Sequence, residues 1–322
     1  MLDVIPSLPQ QLGELGKVTE SAYPSGRHDR IVRTNPSIIH LGQDILLVER
    51  LDAIRSGSPT REWRRNSSQL RIWLINKVSR HRQILNTISP RDELGGLRSH
   101  EDPRLNLRGD SLEIWCASRS LAHQTGPIRQ EILRLNKSLD VEHIVVPTHF
   151  GNDSVPYQKN WSPVAGSDKF VYWLNGKHIV SDLFDQTKTY ESKGLSWEFG
   201  EIHLGTPSLQ MGGTFLAFFQ SSREDDFLKT QTESGAYNSR YFLGAYEFSA
   251  IPPYEILRWT PNPLLIGSLN NPHRTGSPAC LFPSGMIIEE DNILLSLGIN
   301  HAGWAIVRFD RKALVSRLER FN

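Results

Sequence analysis

The sequence has few cysteines and no long apolar run. Of its 322 residues only Cys116 and Cys280 are cysteines, too far apart in sequence for a disulfide framework or a zinc site. Apolar runs such as residues 45–48 and 215–219 are as long as a strand and fall short of the roughly 20 residues of a membrane span. The first residues also lack the basic and apolar regions of a secretory signal. We therefore expect a cytoplasmic protein with no membrane span and no metal.

An excess of charge of either sign is also missing. Lys and Arg number 36 against 35 Asp and Glu, a formal net charge of +1, which argues against a general nucleic-acid binder. The balance conceals an arginine-rich segment, residues 55–108, which includes Arg61, Arg64, Arg65, Arg71, Arg80 and Arg82. Two interpretations stay open. The segment binds an anionic donor or acceptor such as a nucleotide sugar, or it is a solvated face paired with nearby acids.

Long amphipathic helix patterns are scarce, and residues 69–85 fit a helix and alternating strands equally well. Elsewhere the chain consists of short β-rich runs separated by Gly, Asn, Asp and Ser, which indicates an all-β protein. Within this pattern a proline recurs just before a short strand, which is followed by a polar turn and an apolar strand. The five prolines are Pro36, Pro103, Pro163, Pro207 and Pro283.

The spacing of these prolines favours a five-bladed β-propeller. They are 67, 60, 44 and 76 residues apart, which fits blades of about 40–50 residues with insertions. The alternative is a two-sheet sandwich in which the prolines recur by coincidence. We expect one propeller over residues 31–322, preceded by an N-terminal extension, residues 1–30. In a propeller the residues beside these prolines converge at one mouth of the channel, and here they are mostly polar, as a sugar pocket requires.

Six segments carry a family resemblance. Glu101-Asp102-Pro103-Arg104 resembles the signature of family 130 of the glycoside hydrolases, five-bladed propellers dominated by β-mannoside phosphorylases. Other segments follow in the family's order: Asn35-Pro36 with residues 46–50, residues 159–163, Gly205-Thr206-Pro207, residues 241–245 and residues 282–285. The resemblance covers about residues 30–318.

The resemblance implies that Asp102 is the general acid. Inverting cleavage needs one carboxylic acid to protonate the leaving oxygen, and a hydrolase needs a second carboxylate to activate water. A phosphorylase dispenses with the second because phosphate itself is the nucleophile. Arg104 nearby would lower the pKa of Asp102, so a catalytic acid needs compensating burial or hydrogen bonds. The alternative is a structural ion pair and turn at a blade edge.

The resemblance also implies residues that bind the sugar. Asn35 and Arg50 match positions that contact the sugar beside the broken bond, although Arg50 also fits a solvated arginine that closes a strand. Trp161 either stacks on a sugar face or packs inside the fold. The full expected substrate-binding set is Asn35, Arg50, Arg104, Lys159, Asn160, Trp161, Thr206, Gln220, Tyr241 and His301.

Departures from the family pattern leave the reaction open. Residues 219–221 read Phe-Gln-Ser where the family has Tyr-His-Gly with a phosphate-binding histidine, and a family lysine is replaced around residues 201–203. Losing these groups weakens the case for phosphate binding, although Arg223 or Arg240 could substitute. Phosphorolysis and transfer from a nucleotide-sugar donor therefore rank together. Hydrolysis, with Glu201 as second carboxylate, and a non-catalytic carbohydrate-binding propeller follow.

The expected partners follow from the same reasoning. They are an oligosaccharide or glycan substrate, with inorganic phosphate or a nucleotide sugar as second substrate. No nucleic acid and no cofactor is expected. Since some relatives close the pocket with a neighbouring subunit, a homo-oligomer is an expectation as well.

Overall fold

The structure is a computed structural model that describes residues 5, 7–22, 31–53, 68–89, 98–120, 127–152, 157–231, 238–269 and 279–322. Its short helices are α1 (Leu8–Leu12), α2 (Asp226–Gln231) and α3 (Arg311–Val315), with 3-10 turns at Gly13–Leu15 and His149–Gly151. The strands are β1 (Gly16–Ala22), β2 (Ile31–Leu41), β3 (Asp44–Ala53), β4 (Gln69–Ile75), β5 (Arg82–Ile88), β6 (Arg98–Arg108), β7 (Ser111–Ser120), β8 (Arg129–Leu135), β9 (Val141–Val145), β10 (Ser162–Pro163), β11 (Lys169–Trp173), β12 (Lys177–Asp182), β13 (Thr189–Lys193), β14 (Glu201–Leu204), β15 (Leu209–Met211), β16 (Thr214–Glu224), β17 (Ser239–Ser249), β18 (Ile256–Trp259), β19 (Leu265–Ile266), β20 (Leu281–Ile288), β21 (Asn292–Ile299), β22 (Gly303–Asp310) and β23 (Glu319–Arg320).

The described strands form five antiparallel sheets. Sheet 1 has the order β2-β3-β4-β5, sheet 2 β6-β7-β8-β9 and sheet 3 β10-β11-β12-β13. Sheet 4 has seven strands, β14-β16-β17-β18-β23 with β15 on β16 and β19 on β17, and sheet 5 is β20-β21-β22-β1. Strand β2 contacts both β6 and β20, β6 contacts β10, β11 contacts β14, and β15 contacts β20. The sheets therefore close into a ring, and the predicted all-β propeller is confirmed. The ambiguous segment 69–85 lies within the strands β4 and β5 rather than in a helix.

Side chains along the central strands point alternately to two buried faces, which excludes the two-sheet sandwich. In β3, Ile45 and Leu47 pack between sheets 1 and 5, while Leu46 and Val48 pack between sheets 1 and 2. A sheet covered by a neighbour on each face buries both sets of side chains, so its strands read as continuous apolar runs. The same alternation recurs in sheet 4, where Phe218 faces sheet 5 and the next residue faces sheet 3.

Four of the five prolines lie inside the inner strands rather than just before them, as was predicted. Pro36 and Pro103 sit inside β2 and β6, at the register shifts between Thr34 and Ser37 and between Glu101 and Arg104. A β-bulge leaves one residue out of the ladder, so a proline costs no ladder hydrogen bond there. The expectation that the proline lies just before its strand is therefore wrong at these two positions. Pro207 lies between β14 and β15.

The segment before residue 31 contributes to the ring. Strand β1 is the outer strand of sheet 5 and pairs with β22, from Gly16 opposite Phe309 to Ala22 opposite Trp304. Helix α1 buries Leu8 in the core cluster between sheets 4 and 5. Glu20 of β1 also pairs with Arg82 of sheet 1. The domain boundary at residue 30 stays a prediction, but residues 16–22 belong to the last sheet.

Candidate functional site

A cavity of about 360 Å³ opens at one mouth of the ring. The described residues that line it come from sheets 1, 2, 4 and 5, from the segment just before sheet 3 and from adjoining loops. They are Asn35, Arg50, Glu101, Asp102, Arg119, Ile128, Tyr157, Lys159, Asn160, His203, Gln220, Ser222, Ser239, Tyr241, Cys280, Phe282 and His301. The structure thus brings together eight of the eleven predicted site residues: Asp102, Asn35, Arg50, Lys159, Asn160, Gln220, Tyr241 and His301.

Unusual backbone conformations aim three of these side chains into the cavity. Asn35, Asp102 and Asn160 have φ values of 44°, 55° and 66°, the left-handed region that Asn and Asp tolerate better than most residues. In a regular strand Glu101 and Asp102 would point to opposite faces, but the bulge in β6 lets both line the cavity. All three are small polar residues, and two of them, Asn35 and Asp102, directly precede a proline.

Asp102 lines the cavity and is 5% exposed. Its Oδ1 accepts a hydrogen bond from Asn35 Nδ2 at 2.6 Å and lies 3.5 Å from Arg50 Nη1. Burial by itself raises the pKa of Asp102, but the positive charges of Arg50, Lys159 and Arg104 and the Asn35 hydrogen bond outweigh it and hold that pKa below its ordinary value. Asp102 is therefore ionised at neutral pH in the unliganded protein.

Arg50 connects Asp102 to two further carboxylates. Its Nε donates to Asp52 Oδ1 at 2.8 Å, and its Nη1 lies 3.4 Å from Glu101 Oε2. Ser68 Oγ donates to the same Asp52 oxygen. Burial opposes the charge of Arg50, but the three carboxylates raise its pKa above the ordinary value, so it stays protonated. This network fixes the guanidinium beside Asp102.

Further cationic and neutral groups line the rest of the cavity. Lys159 is exposed, and Arg119 has a buried Nε with no hydrogen-bond partner among the described residues. Burial is the main cause that lowers the pKa of His203, and it lowers that of His301 to about 4. Both histidines are thus neutral at pH 7. Positive charge available to an anionic ligand therefore comes from Arg119 and Lys159 rather than from histidine.

Arg104 does not contact the cavity, contrary to expectation. It is fully buried, and its guanidinium donates to Gly205 O at 2.5 Å, Leu204 O at 3.0 Å, Asp102 O at 3.1 Å and Asn160 Oδ1 at 3.2 Å. Burial lowers its pKa to about 10. Arg104 thus ties sheet 2 to the segments of sheets 3 and 4 beside the cavity.

Trp161 and Thr206 are also inside the fold. Trp161 is fully buried and stacks on Phe170 with ring centroids 4.8 Å apart, so its packing role is the observed one. The Thr206 hydroxyl accepts a hydrogen bond from the Phe218 backbone N–H at 3.0 Å. Neither side chain lines the cavity.

The structure also shows where the residues named in the alternative interpretations lie. Glu201 is exposed and does not line the cavity. Of the two arginines suggested for phosphate, Arg240 pairs with Asp225 at 2.5 Å and Arg223 lies against Phe242, and neither lines the cavity. In the arginine-rich segment Arg80 and Arg82 pair with Glu20, and Arg71 lies over Trp73. Arg61, Arg64 and Arg65 lie outside the described residues.

Sequence reasoning missed several lining residues. Arg119, Ile128 and Tyr157 come from the ends of β7 and β8 and from the approach to sheet 3, and no repeat or motif marked them. Glu101 was named only as part of the motif, and no role was predicted for it. A comparison of strand ends would have pointed to Arg119. It lies near the end of β7, the second strand of sheet 2, as Arg50 lies near the end of β3, the second strand of sheet 1.

The fold and site define a five-sheet propeller with a polar, carboxylate-containing cavity. No family model and no curated protein matches the chain. Among solved structures it is similar to the β-1,2-mannobiose phosphorylase of Listeria innocua in complex with β-1,2-mannobiose, with a TM-score of 0.62 and 14% identity over 91% of this chain and 94% of that one.

Two further solved structures have the same fold. One belongs to work on family 130, a family of mannoside phosphorylases that contains glycoside hydrolases targeting β-1,2-mannosidic linkages in Candida mannan. It has a TM-score of 0.61 and 13% identity over 97% of each chain. MPT-1, a GDP-Man-dependent mannosyltransferase of Leishmania mexicana, has a TM-score of 0.54 and 13% identity over 94% of this chain and 93% of that one. The resemblance to family 130 is thus confirmed at the level of the fold. No helix among the described residues is long and apolar enough to cross a membrane.

Proposed function

We propose that the protein makes or breaks β-mannoside-type glycosidic bonds with inversion, in the manner of a phosphorylase, with Asp102 as the general acid and base. The observation that carries this proposal is a buried carboxylate that lines a polar cavity and is held by Asn35 and Arg50. Directional donors and acceptors around one carboxylate suit a sugar whose reacting oxygen lies beside it. The likeness of the fold to mannoside phosphorylases agrees with this chemistry.

In the cleavage direction a phosphate oxygen attacks the anomeric carbon on the face opposite the leaving oxygen. The bond between C1 and the leaving oxygen breaks, and the proton of Asp102 passes to that oxygen. In the synthetic direction the Asp102 carboxylate takes the proton of the acceptor hydroxyl as that oxygen attacks C1 of the sugar phosphate and phosphate leaves. The lowered pKa of Asp102 suits the synthetic direction in the unliganded protein. A phosphate dianion bound nearby would raise that pKa and favour the acid form.

Arg119 and Lys159 are the groups that support an anionic second substrate. Both line the cavity, and neither forms an ion pair with a described residue. A cation whose N–H groups lack a partner is suited to a phosphate oxygen.

Transfer from a nucleotide-sugar donor is the second candidate. The buried Gln220, whose Oε1 has no described partner, stands where the resemblance would place a phosphate-binding histidine, and a neutral amide offers a free phosphate ion less charge. An ionised Asp102 is also the base that such a transfer needs. Hydrolysis with Glu201 as the second carboxylate loses support because Glu201 does not line the cavity. A binding-only propeller ranks last because the buried carboxylate network would then have no role in chemistry.

The test incubates the protein with β-1,2-mannobiose, with and without inorganic phosphate, and separately with GDP-mannose and mannose. Release of mannose 1-phosphate only with phosphate, in the α configuration by NMR, supports phosphorolysis with inversion, whereas release of GDP supports the transferase. Asp102→Asn should abolish either activity. Asp110→Asn is the matched control, since Asp110 lies in the exposed turn at the other end of the same strand pair. Full activity of Asp102→Asn would refute the assignment of the acid.

A further inference from the structure

One exposed aromatic ring of the cavity has no role in the chemistry above. Tyr157 lines the cavity and is 63% exposed, whereas Asp102 is 5% exposed. Within the described part of the chain no other side chain makes a ring contact with Tyr157. Phe184 is 58% exposed, but its ring is covered by the guanidinium groups of Arg108 and Arg134 at 5.5 and 5.7 Å. The exposure of Phe184 is thus partly offset by its arginine neighbours, whereas the exposure of Tyr157 needs another explanation.

The backbone that carries Tyr157 is fixed. Tyr157 forms a parallel bridge with Ile128, and the N–H of Gln158 donates to Ile128 O at 2.9 Å. The side-chain amide of Gln158 donates in turn to Phe150 O at 2.9 Å. An aromatic side chain has only two rotatable bonds, so a ring on a fixed backbone loses little entropy when a ligand covers it.

The polar groups of the cavity and its aromatic ring differ in exposure. Asn35, Arg50 and Asp102 are buried polar groups, whereas the ring of Tyr157 is exposed. A pyranose ring matches such a site because its rim carries hydroxyls while one face exposes C–H groups. Covering that face with an aromatic ring removes apolar surface from water on both partners.

We propose that Tyr157, with Ile128 beside it, forms the subsite for the second sugar, the one on the leaving-group side in cleavage and the acceptor in synthesis. The inference rests on the proposed function, because Asp102 marks the bond that separates the two sugars. The sugar that undergoes substitution at C1 then lies beside the buried Asp102, and the second ring stacks on the exposed Tyr157. The ligand class is a pyranose with an unobstructed C–H face, joined through a hydroxyl that reaches Asp102.

The test measures binding of β-1,2-mannobiose and of mannose by calorimetry to the full chain carrying Asp102→Asn, which cannot turn the ligand over. Adding Tyr157→Ala should weaken mannobiose binding about tenfold and leave mannose binding within about twofold. Tyr157→Phe should keep mannobiose binding within about twofold, because the ring face is retained. Phe184→Ala, which removes an exposed ring that does not line the cavity, should change neither.

The outcomes separate this inference from the proposed function. Equal weakening of both ligands by Tyr157→Ala would mean that the ring supports the cavity as a whole, which overturns the subsite. Mannobiose binding that Tyr157→Ala leaves unchanged overturns the subsite alone. If the Asp102→Asn protein binds neither sugar and the wild type transfers none, the proposed function and the subsite both fail.

Discussion

The charge of Arg50 should control the pH at which Asp102 acts as a base. Arg50 Nη1 lies 3.5 Å from Asp102 Oδ1, a pair worth about 5 kcal/mol at an effective dielectric constant of about 20. Asp52 and Glu101 share the guanidinium, so only part of that attraction reaches Asp102. A neighbouring arginine commonly lowers an aspartate pKa by about 1–3 units. We therefore expect Arg50→Gln to raise the pKa of Asp102 by about 1–2 units.

The assay is the pH dependence of kcat/KM for synthesis from α-mannose 1-phosphate and mannose. Because Asp102 must be ionised to accept a proton, the rate falls as the pH drops through its pKa, which in the wild type lies below the ordinary aspartate value. In Arg50→Gln this acidic limb should move about 1–2 pH units upward, whatever the change in KM. Circular dichroism at each pH monitors unfolding.

Two further variants sharpen this test. Asp52→Asn leaves the charge of Arg50 less neutralised, so the acidic limb should shift to lower pH. Arg258→Gln, which breaks a partly exposed pair with Glu247 in the outer part of sheet 4, should leave the limb in place. An acidic limb in Arg50→Gln that coincides with the wild-type limb would refute the electrostatic argument.

Three other variants test the packing around the site. Arg104→Met should lower the free energy of unfolding by about 3–5 kcal/mol in urea, because buried carbonyls lose their charged donor; a loss below about 1 kcal/mol would contradict this. His178, whose pKa burial lowers to about 4, is neutral when folded, so its stabilisation is present above pH 6.5 and lost as the pH falls to about 4. Replacing it, in His178→Gln, should reduce the loss of stability between pH 7 and pH 5 by about 2 kcal/mol, and equal losses in the two proteins would contradict the neutral histidine. Gly298→Ala places a β-carbon on the Asn35 amide oxygen, so kcat/KM should fall about tenfold to hundredfold with a small change in Tm; an unchanged kcat/KM would argue against positioning by Asn35.

The fold was largely predictable because each blade repeats one local pattern. The prolines and polar turns recur once per sheet, and the apolar runs between them reflect sheets buried on both faces. The seventh strand of sheet 4 and the pairing of β1 with β22 were not predictable, because both depend on contacts between distant segments that carry no motif. Likewise a bulge, rather than a strand start, accommodates Pro36 and Pro103, and single-sequence patterns do not mark a bulge.

The site was predictable where a residue type is tied to a local conformation. Asn35, Asp102 and Asn160 adopt left-handed conformations beside the inner strands, so the sequence near the prolines placed them correctly. Arg104 and Trp161 were misplaced because a motif states which residue is present but not whether its side chain points outward or into the fold. That direction is decided by the pleat and by neighbouring sheets, which only the three-dimensional structure contains.

The pairing of β1 with β22 also bears on how the chain folds as it is synthesised. Gly16 and its partner Phe309 are about 290 residues apart, so at a translation rate of about 5–20 residues per second the first strand waits roughly 15–60 seconds for its partner. During that time β1 presents an unpaired edge, which is a site for wrong pairing with other chains. The last sheet therefore cannot be completed until the ribosome has made β22, and ring closure is a late, non-local step of high contact order.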